Sequence, residues 1–109
     1  MIYLASPYSH PDPAVRAERY ARTLDFTSHW IKLGAAVFSP IVYCHQFVPL
    51  GHGTSAGDWN SFNLVMMRKS RRLWVLMLPG WDESRGVGFE IDWFRAHNIK
   101  PEMKEHRRG

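Results

Sequence analysis

The order of apolar and polar stretches predicts an α/β fold, a three-layer αβα sandwich built on a small parallel sheet of four or five strands. Three observations predict it. Short apolar runs at Ile2–Ala5, Ala35–Ser39 and Leu73–Leu78 are bounded by turn residues, the pattern of strands buried on both faces. Stretches with helical spacing and helix caps lie between them. Strands that alternate with helices pair in parallel, through crossovers that leave helices on both faces of the sheet.

Each element has its own signal. Ile2–Ala5 is followed by a proline-stiffened loop, Ser6-Pro7-Tyr8-Ser9-His10-Pro11. Asp12-Pro13 is a helix start, with Asp as N-cap and Pro at the first helical position. That helix is expected to run to about Leu33, with Tyr20, Leu24, Thr27 and Ile31 inward and Gly34 closing it. After the second strand the pattern dissolves from Ile41 to Gly57, which reads as a flap over a site. Asp58 is a candidate cap for a second helix, Trp59 to about Ser70, with Phe62, Val65 and Met66 sharing a face. Leu73–Leu78 is the central strand. A third helix from near Ser84 to about Ala96 carries Val87, Ile91 and Phe94 on one stripe, with Asn98 as its terminator. The domain is expected to span residues 1–98, with residues 99–109 a short edge strand or polar tail.

At 109 residues the chain is expected to be one domain, and 45% hydrophobic residues exclude a disordered chain. The net charge of +4 favours anionic partners. Its clusters, Arg68-Lys69 with Arg71-Arg72 and the tail around Lys100, Lys104, Arg107 and Arg108, match no nucleic-acid motif, so nucleic acid is not the expected partner. The single cysteine, Cys44, rules out an intrachain disulfide and fits a reducing compartment. The first residues lack the basic segment of a signal peptide, and no apolar run approaches the ~20 residues of a membrane span. A cytoplasmic protein without membrane contact is expected.

In a parallel sheet, ligands bind at the carboxyl ends of the strands. Here those ends are Ser6–His10, Ser39–His45 and Pro79–Glu90, so their polar groups should converge. Ser84-Arg85-Gly86-Val87-Gly88 offers a hydroxyl, free backbone N–H groups and close backbone approach at a helix entrance. It reads equally as a phosphate nest or as an ordinary helix start capped by Ser84. It is not a dinucleotide fingerprint, because Ile91 stands where a third glycine belongs. Asp82 and Glu83 nearby would repel an anion unless they point away. Glu90, flanked by Val87, Phe89 and Ile91, is a candidate nucleophile for a sugar's anomeric carbon. Tyr8 is placed to orient it. Ser6, His10, Ser39 and His45 lie on loops that should face the same pocket, and Trp59, Trp81 and Trp93 are candidates for stacking on a base. Cys44, His45 and His52 match no zinc spacing, so no metal is expected.

Two of these segments carry a family resemblance. Ile2-Tyr3-Leu4-Ala5-Ser6-Pro7-Tyr8 resembles the opening strand and loop of the nucleoside 2-deoxyribosyltransferase superfamily. Ser84-Arg85-Gly86-Val87-Gly88-Phe89-Glu90 is similar to a segment of its deoxynucleoside 5′-monophosphate N-glycosidase branch. With Phe38-Ser39-Pro40, His45 and Pro79-Gly80-Trp81, the chain also resembles a compact, largely uncharacterised bacterial and phage family of the same fold. The resemblance implies a Rossmann-like (flavodoxin-like) sheet and a site often completed by a second subunit. It implies Glu90 as nucleophile on C1′, and Ser84 and Gly86, beside Gly88, holding a 5′-phosphate or 5′-hydroxyl. It implies Tyr8 orienting Glu90 or touching the sugar. No cofactor is implied.

The sequence departs from that pattern where the superfamily carries acids. Asn63 stands at one such position, and Arg72 and Met77 at others. Asn63 can hydrogen-bond a sugar or base but cannot act as an acid. The leading expectation is an N-glycosidase or deoxyribosyltransferase acting on a nucleoside or its 5′-monophosphate, working as a homo-oligomer. The alternatives are a nucleotide-binding module without catalysis and a small basic nucleic-acid-binding protein.

Overall fold

The computed structural model describes residues 1–54 and 56–106. In chain order the elements are β1 (Ile2–Ala5), α1 (Pro13–Lys32), β2 (Val37–Phe38), α2 (Pro40–Cys44), a 3-10 helix (His45–Leu50), α3 (Ala56–Arg68), β3 (Arg72–Leu76), a 3-10 turn (Trp81–Glu83), α4 (Arg85–Ala96) and β4 (Pro101–Lys104). The strands form one parallel sheet in the order β2-β1-β3-β4. The register pairs Ile2 with Val37 and Arg72, and Leu73 with Pro101. This is the expected three-layer α/β sandwich.

The period of two along a strand divides the core between the two faces. Tyr3 and Ala5 of β1 and Leu73 and Val75 of β3 pack with Met67 of α3 and Val87 and Phe94 of α4. Ile2, Leu4, Trp74 and Leu76 pack on the other face with Phe26 and Trp30 of α1. The two central strands therefore have no wet face, which is why their sequences are continuous apolar runs and not alternating ones.

Three expectations need correction. The inward stripe of α1 is Thr23, Phe26 and Thr27, continued by Trp30, while Leu24 and Ile31 are 41% and 53% exposed. The threonine hydroxyls donate to the carbonyls four residues back, Thr23 to Arg19 and Thr27 to Thr23, both at 2.7 Å. Satisfied in this way, they can be buried; Thr27 is inward as expected, and Thr23 joins it while Leu24 and Ile31 do not. The segment after β2 is not patternless. Ser39 caps α2 by accepting from the Val42 N–H at 3.1 Å, with Pro40 at the first helical position. Finally, α3 begins at Ala56 and ends at Arg68, so Asp58 sits inside its first turn and does not precede it as a cap; β4 is a short edge strand whose first residue, Pro101, owes the ladder little.

The basic clusters are partly structural. Arg72 donates two hydrogen bonds to the Glu102 carboxylate across the β3–β4 pair, at 2.9 and 2.6 Å. Lys104 lies over the Trp74 ring, 4.6 Å from its centroid. Arg107 and Arg108 of the expected tail lie outside the described residues. Among the described residues no helix is long and apolar enough to cross a membrane.

One arginine of α1 ties together the two loops that leave the central strands. Arg19 donates to the Ser9 carbonyl at 3.0 Å and to the Pro79 carbonyl at 3.4 Å. Gly80 turns beneath it with φ +89°, and a Cβ there would meet the Arg19 guanidinium at 2.7 Å. Gly80→Ala is therefore expected to destabilise the protein by ~1–3 kcal/mol in urea unfolding. Gly88→Ala is expected to be neutral or stabilising by up to ~1 kcal/mol, because it lies in α4 and its Cβ would meet nothing within 4 Å.

Candidate functional site

β1 sits between β2 and β3, so the chain leaves β1 toward one edge and later returns to the other side of it. The loops after β1 and β3 part at this switch of direction, and a crevice opens at the carboxyl ends. A cleft of about 510 Å³ occupies that place. Ser6, Tyr8 and Ser9 come from the loop after β1, and Asn63 and Met67 from α3. Glu83, Ser84, Arg85, Gly86, Phe89 and Glu90 come from the start of α4. Pro40 and, from the segment expected as a flap, Ile41, Cys44, Val48, Gly53 and Thr54 supply a wall; Ser55, within that segment, lies outside the described residues.

Glu90 is the buried carboxyl of this arrangement. It lies on the inward stripe of α4 with Val87 and Phe94, and only 9% of it is exposed. An isolated carboxylate in such surroundings loses its hydration. Burial pushes the Glu90 carboxyl up to about 8, and interaction with the Tyr3 phenol works against that shift. The Tyr3 hydroxyl is itself buried and, among the described residues, lacks a well-aligned hydrogen-bond partner. The two groups interact without a bond of good geometry. Burial, with the Glu90 charge second, raises the Tyr3 phenol well above its ordinary value, so it stays protonated and can only help Glu90 as a donor.

This corrects the expected partner of Glu90. Tyr8 lines the cleft, but its hydroxyl lies 2.6 Å from His45 Nδ1. The phenol beside Glu90 is Tyr3, which the reading of the loops missed because it looked like a plain strand residue. A signal was available. Tyr3 and Ala5 point to one face, and a Glu on the inward stripe of the helix covering that face must meet one of them.

The entrance to α4 is the capped helix start that its sequence suggested. Ser84 Oγ accepts from the Val87 N–H at 3.2 Å, which makes Ser84 an N-cap. The cap uses one lone pair of the oxygen, and Ser84 also lines the cleft. Gly88 N–H donates to the Ser84 carbonyl at 3.0 Å. The N–H groups of Arg85 and Gly86 belong to the first helical turn, which has no intrahelical acceptors. With the positive end of the helix dipole they form a donor set for an anion. Asp82 and Glu83 are exposed, and Glu83 reaches the cleft wall, so one carboxylate does stand near the anion donors.

The remaining expected residues divide. Ser6 and Asn63 line the cleft, and Asn63 Oδ1 is buried without a partner among the described residues. His10 is exposed and its Nδ1 accepts from the Asp12 N–H at 3.0 Å, so it stiffens the loop and does not face the cleft. Ser39 is buried and spent as the cap of α2. His45 stands behind Tyr8, and Gly88 is set back in α4; neither lines the cleft. Of the three tryptophans, only Trp59 does, with its Nε1 donating to the Gly53 carbonyl at 3.0 Å. Trp81 and Trp93 pack against the core. Asn60 and the Cys44 thiol also line the cleft. Burial raises Cys44 to about 12, which makes it a neutral wall residue and not a nucleophile. Among the described residues no three His, Cys, Asp or Glu side chains gather as a metal-holding group.

The raised Glu90 pKa has a measurable sign. A carboxyl whose folded pKa lies above its unfolded value contributes stability below about 4.5, which is lost as pH rises through about 8. Glu90→Gln removes that dependence. The variant is expected to be more stable than the parent at pH 9, by at most on the order of 4 kcal/mol, and nearly equal to it at pH 4. Urea midpoints measured at both pH values check this.

No curated protein matches the chain. Residues 1–103 match the profile of a family described as a domain of unknown function, DUF1937, and the chain belongs to that family.

Proposed function

We propose that the protein cleaves the N-glycosidic bond of a nucleoside or its 5′-monophosphate, with Glu90 as nucleophile. The observation that carries this reading is a buried carboxyl sharing one cleft with a free set of anion donors. Glu90 lies about one and a half turns into the helix whose first turn presents Ser84 and Gly86. A phosphate or 5′-hydroxyl at that first turn would leave the sugar lying along the helix toward Glu90. Trp59 and Phe89 offer aromatic faces for a base, and Asn63 an amide.

The chemistry balances without a cofactor. The Glu90 carboxylate bonds to C1′ as the bond from C1′ to the base nitrogen breaks through an oxocarbenium-like transition state. The electron pair leaves with the base, which takes up a proton. Water then opens the glycosyl ester, releasing the sugar and restoring Glu90, or a second base does so and transfer results. Tyr3, a protonated donor beside the carboxyl, favours its ionised form.

Because a nucleophile must be ionised and Glu90 lies near pH 8 in the free protein, kcat/KM should rise with pH and level off above about 8. Glu90→Gln should lower it by about 10³-fold or more. Release of free base from a panel of deoxynucleosides and their monophosphates measures both. No release with any of them, or full activity in Glu90→Gln, overturns the reading. An activity that falls as pH approaches 8 would make Glu90 an acid instead.

A second reading is a nucleotide-binding module without turnover. It is favoured by Asn63, which offers the cleft no acid for a leaving base, and by a Glu90 that is mostly protonated at neutral pH. Calorimetric nucleotide binding with no product after long incubation would select it. Phe89, 43% exposed on the cleft wall, and the exposed Phe62 and Val65 of α3 are apolar surface that a second copy of the chain would cover in a homo-oligomer with a shared site. The buried single cysteine, Cys44, fits a cytoplasmic setting.

A further inference from the structure

His45 does not line the cleft, yet its environment is built with care. Its ring stacks on Tyr20 of α1 at 4.1 Å between centroids and 18° between planes. It meets the Tyr8 ring edge-on at 5.5 Å, with Tyr8 Oη 2.6 Å from Nδ1. The charged group facing both residues is Arg16 of α1, and the neutral Cys44 thiol is the other titratable neighbour of Tyr8. A guanidinium only donates hydrogen bonds, so it cannot take the phenol proton. Its positive charge, with burial, also disfavours an imidazolium at His45.

We propose that His45 is a positioning residue that sets the hydrogen-bond polarity of Tyr8: its neutral Nδ1 accepts a hydrogen bond from the phenol O–H, and the Tyr8 oxygen is left as an acceptor for a hydroxyl or N–H of the ligand in the cleft. The part of this assignment that concerns a ligand rests on the nucleotide reading of the cleft; the polarity of the pair does not. A phenol that donates to the imidazole keeps two lone pairs, one facing Arg16 and one available to a ligand. Protonation of His45 reverses the pair. Nδ1–H then donates to Tyr8, and the phenol O–H turns to seek an acceptor. Because burial and Arg16 hold His45 below the usual histidine range, the acceptor form of Tyr8 persists through neutral pH and is lost only in mild acid.

Two measurements on the full chain test this. Nitrogen NMR of the imidazole at pH 7.5 should show His45 as the Nε2–H tautomer, with resonances and titration that move in Tyr8→Phe. An Nδ1–H tautomer, or a His45 titration indifferent to Tyr8→Phe, overturns the proposal. In calorimetry with the four deoxynucleoside 5′-monophosphates, Tyr8→Phe and His45→Phe should each weaken the best-bound one by about 5- to 50-fold, and the double variant by no more than either alone. Losses that add, or an unchanged affinity in His45→Phe, overturn the positioning role. If the parent protein binds none of the four, the nucleotide reading of the cleft falls, while the nitrogen spectra still decide the polarity of the pair.

Discussion

The pairing of β1 with β3 is the constraint on which the rest of this molecule depends. Ile2 to Ala5 lie in register with Arg72 to Val75, and both strands are buried on both faces. Two strands without a wet face must be covered twice, by α1 on one side and by α3 and α4 on the other. The same pairing brings two loops distant in sequence out of the sheet side by side. One carries Ser6 and Tyr8, the other Ser84 and Glu90. Arg19, reaching from α1 to a carbonyl on each loop, holds them in that relation. The cleft is thus a consequence of strand order.

Against that apolar background Glu90 is a local contradiction. A helix stripe of Val87 and Phe94 would be better filled at position 90 by an apolar residue, and the carboxyl answers by holding its proton to about pH 8. Burial of this kind opposes stability and suits chemistry, since it keeps water from the carboxyl and leaves its ionisation open to whatever occupies the cleft. Among the described residues Tyr3 is the core group that favours the ionised carboxyl, and its hydroxyl lacks a well-aligned hydrogen bond. Tyr8, which looked like the natural companion of Glu90, is engaged with His45. The two tyrosines of the first seven-residue motif therefore serve different parts of the site. One faces the carboxyl from within the sheet, and the other stands on the cleft wall with a histidine behind it.

Much of the fold was legible where one residue's local preference and its tertiary role agree. Asp12-Pro13, Ser84 and Gly34 act in the structure as their chemistry suggests, because capping and left-handed turns are decided within a few residues. Legibility failed where burial depends on satisfying a polar group. The inner face of α1 includes Thr23 beside the expected Thr27 because its hydroxyl bonds back to the helix, and no hydropathy stripe registers that. It failed again at α2, a helix of five residues too short to show a period, although Ser39-Pro40 carried the start signal of a helix.

By itself the sequence determined the α/β class, the caps of α1 and α4, the central strand and the convergence of Ser6, Tyr8, Ser84, Gly86 and Glu90 at the carboxyl ends. These follow from local chemistry and from a rule that all parallel sheets obey. Only the tertiary structure decided that Tyr3 faces Glu90, that His45 meets the Tyr8 hydroxyl and does not line the cleft, and that His10, Ser39 and Gly88 stay outside the cleft. The physical reason is the same in each case. Which face a side chain turns to, and which donor it meets there, depends on groups dozens of residues away, and their distance is set by packing.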